Sequence, residues 1–295
     1  MSDTRSGVLF TVGSYVIWGL GPVYWKLVAE VPATQLLAHR ILWSLAMLAV
    51  LVAVQRRWRE LGRIFRSARV SVTLLGSTAM IGVNWLVFIW AMVTERILHA
   101  SLGYFINPLV TVLLALVFLG ERLSRGRWAA VALAALGVTI LALRVGTLPW
   151  ISLVLAFSFG LYGLLRKTVR AEPEVGLLVE TCLLAPWMLL LLVRAETAGV
   201  GAFGHGGLGG DLLLVGAGVV TAVPLLLFTH GVRRLRLSTV GFLQYLAPSL
   251  QFLLAVGVYG EAFTLDHLAA FALIWSALAI FVWDTRRRRR LELQG

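Results

Sequence analysis

The sequence lacks most of what covalent chemistry needs. Its 295 residues include one cysteine, Cys182, which excludes an intrachain disulfide and any paired-cysteine metal motif. Five histidines, His39, His99, His205, His230 and His267, are scattered without metal-ligand spacing. No Walker A stretch is present, so ATP does not drive this chain by itself, and no nucleophile elbow marks a Ser-His-Asp site. An enzyme is not expected, nor is any cofactor or metal. Charge is also scarce, at 14% of residues.

Hydrocarbon is abundant instead. The chain is 59% hydrophobic with a mean hydropathy of +0.88, more apolar surface than a soluble domain can hide. Lipid is the alternative solvent. Its lack of hydrogen-bonding partners restricts a spanning chain to helices or closed barrels. The apolar runs are long and do not alternate, which selects helices. Ten spans are expected, at 7–27, 33–55, 70–92, 98–119, 127–144, 148–166, 175–193, 211–230, 238–258 and 266–283. The run at 7–27 reads as a first span rather than a removed signal peptide, because no small-residue cleavage site follows it and Lys26 does. Between spans 7 and 8, "GVGAFGHGGLGG" carries seven glycines in twelve residues and reads as a flexible loop.

The formal net charge of +12 includes the run Arg286–Arg290, yet no aromatic-basic module accompanies it, which argues against nucleic acid. The basic residues cluster between spans. With the N-terminus in the cytoplasm, twenty-one Lys and Arg fall on the cytoplasmic side and five on the other. The positive-inside rule therefore predicts both termini in the cytoplasm of a plasma (inner) membrane.

The chain also repeats itself. A shift of 140 residues aligns 76–121 with 216–261 without a gap and with 11 identities in 46 positions, among them Pro108 with Pro248 and Gly120-Glu121 with Gly260-Glu261. A shift of 141 aligns Gly19 with Gly160 and Lys26 with Lys167. Each unit holds five spans, an odd number, so the second lies upside down. The expected fold is an all-α membrane protein of ten transmembrane helices in two inverted-topology five-helix repeats, 1–145 and 146–295, the second ending in a basic cytoplasmic tail. This architecture recurs in secondary transporters, with the solute held at the repeat interface.

The stretches "YVIWGLGPVYWKL" (15–27), "HRILWS" (39–44), "GVNWLVFIWA" (82–91), "ASLGYFINPLV" (100–110), "FSFGLYGLLRK" (157–167), "LRLSTVGFLQYLAP" (235–248) and "YGE" (259–261) resemble RarD-type permeases, in the EamA branch of the drug/metabolite transporter superfamily. The resemblance runs through nearly the whole chain in order. It implies ten spans, two five-helix repeats and solute transport, and its name is tied to chloramphenicol sensitivity. It also implies that spans 5 and 10, rich in small residues such as Ala129, Ala130, Ala134 and Gly137, are peripheral helices and a possible homodimer contact.

Candidate binding residues follow from what is costly in lipid. Pro22 frees the carbonyl of Trp18, Pro108 that of Tyr104 and Pro248 that of Gln244; Pro22, Pro108, Pro224 and Pro248 are the expected hinges. Around them Trp18, Tyr24, Tyr104, Asn107, Tyr162, Gln244 and Tyr245 are site-lining or packing residues. Intramembrane charge is expensive unless it faces protein or water. Arg40 is thus a candidate to hold a carboxylate-bearing solute, or else a snorkelling or ion-paired group. His39 and its repeat partner Glu180 are candidates to carry a coupled proton, Glu180 otherwise serving as an interfacial carboxylate. Asn84 is interhelical glue or a solute contact, and Trp85 and Trp90 are possible wall residues. The expected activity is a secondary permease for a small organic solute, an amino-acid-like metabolite or a drug, working in a lipid bilayer by alternating access. The alternative is a lipid flippase or scramblase, or a non-transporting sensor.

Overall fold

The computed structural model describes residues 3–145, 149–260 and 265–292. Helices come in the order α1 (Asp3–Leu27), α2 (Ala33–Val54), α3 (Trp58–Arg66), α4 (Ala68–Val93), α5 (Ile97–Leu119), α6 (Arg125–Val145), α7 (Trp150–Thr168), α8 (Pro173–Thr197), α9 (Gly207–Arg234), α10 (Leu237–Gln244), α11 (Leu246–Gly257) and α12 (Leu265–Glu292). Ten segments are long and apolar enough to cross a membrane, α10 and α11 together forming one of them. These are the ten spans expected from hydropathy, with two differences. The connection 56–69 is not a plain loop but contains α3, whose nine residues are too few and too charged to register as a span. α9 also reaches back to Gly207 into the glycine-rich segment, which is pinned rather than loose. Gln35 donates to Val200 O at 2.7 Å and accepts from Ala202 N at 2.9 Å, and Gly204 N donates to Asp211.

Helix ends follow backbone chemistry. Gly120 and Gly260 both take left-handed φ, 60° and 65°, a conformation glycine adopts readily; Gly120 is the C-cap that ends α5, whereas α11 ends at Gly257, ahead of Gly260. Glu261 and Thr264, which the 140-residue offset aligns with Glu121 and Ser124, lie outside the described residues. Ser124 caps α6, accepting from Arg127 N at 3.1 Å. Glu121 acts elsewhere. Its carboxylate accepts from Leu237 N at 2.7 Å and from Ser238 N and Oγ at 3.2 and 2.5 Å, so it seats on the N-terminus of α10 rather than serving the helix that follows it.

The four hinge prolines behave differently. α1, α5 and α9 continue through Pro22, Pro108 and Pro224, whereas the ninth span breaks at Tyr245, three residues before Pro248. The Trp18 carbonyl freed by Pro22 is taken by Gln251 Nε2 of α11 at 3.1 Å.

The packing pairs α1 with α9 and α4 with α7, α1 with α11 and α5 with α7, α2 with α8, and α6 with α12. Exchanging the first five spans with the second five returns this same set of pairs. Two equivalent junctions illustrate it. The 140-residue offset relates Asn84 to Pro224, and the 141-residue offset relates Ser14 to Leu155. Asn84 Nδ2 donates to Leu155 O at 2.9 Å, while Ser14 Oγ donates to Pro224 O at 2.8 Å. The small residues of α6 are used within the chain: Ala130 and Ala134 are fully buried in a cluster with Ile274, Ala277 and Phe281 of α12, and Gly137 lies against the backbone of Ala270.

One end of the bundle is basic and locked. Arg57, preceding α3, pairs with Glu174 at 3.1 Å and Glu172 at 3.8 Å; Arg233 also holds Glu172, and Arg234 holds Asp3. His230 sits between them, its Nε2 3.0 Å from Glu174 and its Nδ1 3.0 Å from Arg234. The main apolar core, including Leu48, Val52, Leu74, Leu164, Phe228 and Val232, lies on this side.

Candidate functional site

Arg40 lies two turns into α2, half-buried, on the far side of that core from the basic end. Its Nε donates to Thr221 Oγ1 of α9 at 2.9 Å. Its guanidinium carbon stands 4.6 Å from the Trp25 ring of α1 and 6.0 Å from the Trp85 ring of α4. Tyr104 of α5 is within electrostatic range of the guanidinium and packs edge-on against Phe88 at 6.2 Å. Tyr104 is 44% exposed. No carboxylate pairs with Arg40 among the described residues. A cation set between two indoles, with donors to spare, is equipped to take a planar carboxylate and shelter an apolar body beside it.

Glu180 is placed quite differently. It is 1% exposed, 3.5 Å from the guanidinium of Arg166, itself 0% exposed. Ser77 Oγ donates to its Oε1 at 2.5 Å and Tyr162 OH to its Oε2 at 3.3 Å. Arg166 Nη2 donates to Pro173 O at 3.0 Å. Gly176 makes the room, since a Cβ there would collide with the Arg166 guanidinium. The carboxylate is the better partnered of the two: the Arg166 guanidinium has the Glu180 charge beside it and the Pro173 carbonyl on Nη2, while its Nε and Nη1 have no hydrogen bond. This network ties α4, α7 and α8 together near the basic end.

The remaining candidates divide among packing roles and the site. Trp18 joins Tyr15, Phe159 and Phe228 in an aromatic cluster that also includes Tyr162, which stacks on Phe228 at 6.1 Å. Tyr24 OH donates to Leu213 O across to α9. Asn84 binds Ser158 Oγ as well as Leu155 O, both on α7. Trp90 stands apart at the end opposite the basic one, its ring tilted against Trp150 at 5.3 Å and under Arg96. His39 packs on Phe203 of the glycine-rich connection at 5.6 Å. Asn107 is buried and accepts from Thr111 at 3.3 Å. Tyr245 is buried in the cluster facing α6 and α12. Gln244, also buried, leaves its Oε1 without a partner. The structure thus gathers Arg40, Trp85 and Tyr104, and adds Trp25 and Thr221, which sequence reasoning left out of the site. Thr221 carries no signal in an apolar helix. Trp25 does: it ends the same Gly-Pro-interrupted stretch as Trp18. Arg166 closes the span expected at 148–166, where an arginine reads as a charge of the following connection, whereas α7 runs on to Thr168.

The helix order and packing recur in known proteins. A model described as "EamA-like transporter family" matches residues 5–143. Protein RarD of Salmonella typhi is 47% identical over 290 residues, 97% of this chain and 99% of that one. The chain belongs to the EamA-like transporter family. Its similarity to RarD-type members is sustained in Escherichia coli K12, whose Protein RarD is 47% identical over 289 residues, 97% and 98% of the two chains. The Chloramphenicol-sensitive protein RarD of Pseudomonas aeruginosa is 33% identical over 296 residues, 99% and 98% of the two chains. One solved crystal structure superposes with a TM-score of 0.73 at 21% identity, over 97% of this chain and 98% of that chain, which establishes the fold. As an EamA-like chain with ten apolar helices, it is a multi-pass membrane transporter.

Proposed function

We propose that this EamA-like chain is a secondary permease that moves a small amphipathic organic solute bearing a carboxylate, an amino-acid-like metabolite foremost. Arg40 carries this reading. An arginine two turns inside an apolar helix, with no carboxylate partner among the described residues, is costly unless something anionic visits it. Trp25, Trp85 and Tyr104 supply the wall for the solute's apolar part, and Thr221 holds the guanidinium in place. Chloramphenicol, named for the Pseudomonas relative, has the aromatic body this wall suits and no carboxylate for Arg40.

Alternating access proceeds between two inverted five-helix halves, with both termini in the cytoplasm of the inner membrane. The exchange-symmetric helix pairing and the clustering of arginines at one end support this. At the basic end, the Arg57–Glu174–His230 cluster joins α8 and α9 to the residue preceding α3.

The test is uptake of labelled amino-acid-like solutes, with and without their carboxylate and with and without a pH gradient, into liposomes holding the pure protein. Flux of the carboxylate forms is expected to fall at least tenfold in Arg40→Met. Absence of flux for every solute, together with lipid scrambling, would replace this reading with a lipid-handling one.

A further inference from the structure

Nine residues of α3 rise about 14 Å, so this helix crosses nothing. At 100° per residue it has three faces. Glu60, Leu61 and Ile64 point to the protein, Ile64 being 4% exposed. Trp58, Gly62 and Phe65 form a second face with no cover, Trp58 50% and Phe65 70% exposed. Arg59, Arg63 and Arg66 form a third, all exposed. Between positions 56 and 69 six arginines stand against one carboxylate, Glu60.

The arginines differ in what they bind. Arg57 is consumed by Glu60, Glu172 and Glu174. The guanidiniums of Arg59, Arg63, Arg66, Arg69 and Arg170 have no ion pair or hydrogen bond among the described residues. Arg63 and Arg170 share a cleft of about 230 Å³ with Ile64, Val70 and Ala171. The two carboxylates in that cleft, Glu60 and Glu172, are already occupied by Arg57 and Arg233. Val54 at the end of α2 and Val72 at the start of α4, the helices on either side of α3 in the chain, are 76% and 67% exposed, bare hydrocarbon unless lipid covers them.

We propose that α3 lies in the membrane surface and binds anionic phospholipid headgroups, with Trp58 and Phe65 set among the acyl chains and the phosphates held by Arg59, Arg63, Arg66 and Arg170. An aromatic face beside a cationic face is the arrangement that combines apolar insertion with attraction to acidic lipid. The partner is a lipid rather than a free anion, because inorganic phosphate leaves the Trp58–Phe65 face uncovered. The bound headgroup anchors the helix whose preceding residue, Arg57, clamps Glu172 and Glu174. None of this depends on which solute the Arg40 site takes.

Native mass spectrometry of the full-length protein, titrated in detergent with phosphatidylglycerol or phosphatidylcholine, tests it. The wild type is expected to retain phosphatidylglycerol preferentially, and R59Q/R63Q/R66Q to lose that preference by about tenfold or more. These side chains are exposed, so an unchanged melting temperature is expected and confirms folding. Equal retention of both lipids by the wild type, undiminished selectivity in the variant, or displacement of the lipid by inorganic phosphate would each overturn the proposal. A second measurement reads depth: in vesicles with phospholipids brominated near the glycerol end, Trp58→Phe should remove a quenched share of the tryptophan emission. An unaltered quenching profile means α3 does not sit in the interface.

Discussion

Arg40 and Arg166 are both arginines in apolar helices, and the fold treats them in opposite ways. Arg166 is wholly enclosed and faces a carboxylate that is itself held by two hydroxyls. Arg40 is half-accessible and has one threonine oxygen and two indole faces, with no carboxylate among the described residues. A buried charge whose partners come from the chain is scaffold. A half-accessible charge with no carboxylate of its own among the described residues is free to take one from outside. The difference is in local partners rather than residue type, so it can be tested by removing those partners.

The largest effect should come from the scaffold. Glu180→Ala leaves the Arg166 guanidinium buried and uncompensated, which costs about 3–5 kcal/mol, and thermal unfolding in detergent should show a protein that is barely folded. Replacing both partners, R166M/E180M, should recover most of that loss, since the cost lies in the orphaned charge rather than in the missing attraction. If Glu180→Ala is as stable as the wild type yet has lost gradient-driven accumulation, Glu180 carries protons and the contrast between the two arginines fails.

Arg40 should give the reverse pattern. Arg40→Met is expected to cut transport at least tenfold and change stability by about 1 kcal/mol or less, because it removes one hydrogen bond and Thr221 keeps its own to Ala217 O. Arg40→Lys should restore little, as a point charge does not reproduce the planar fork. A melting temperature that collapses in Arg40→Met would place Arg40 with the scaffold.

How much of this the sequence discloses depends on the period over which each feature is written. Ten spans are legible because each is a run of some twenty apolar residues, and the basic clusters show through counting. A repeat in the sequence is legible because Pro and Gly-Glu recur at one spacing. What is missed is non-local or short. Glu121 looks like a signal for its own helix and instead seats on Leu237 and Ser238, a contact that appears only after folding brings α5 and α10 together. α3 is hidden inside a run of arginines. Arg40 can be singled out by its cost in lipid, but the partners that give it meaning, Trp25 and Thr221, come from two other helices. The prolines illustrate the limit most directly. All four remove one backbone donor, yet only the segment around Pro248 breaks, and what happens to a freed carbonyl is decided by whichever side chain is opposite it.

Gln251 makes that last point measurable, with the smallest expected effect. Its Nε2 satisfies the Trp18 carbonyl that Pro22 frees, so by the rule drawn from Arg166 this polar group is already spoken for and belongs to the scaffold. Gln251→Leu keeps the volume and removes the donor. A side-chain hydrogen bond between membrane helices contributes about 1 kcal/mol, and the variant should lose roughly that much stability while keeping transport near the wild-type rate. The α1–α11 contact around Gly19 and Leu250 remains intact to hold the helices in place. Should transport instead fall tenfold with stability unchanged, the Trp18 carbonyl must be meeting solute in some other conformation of the cycle. A partner supplied by the chain would then no longer mark a group as structural, and Arg166 and Glu180 would have to be counted among the groups that exchange partners during transport.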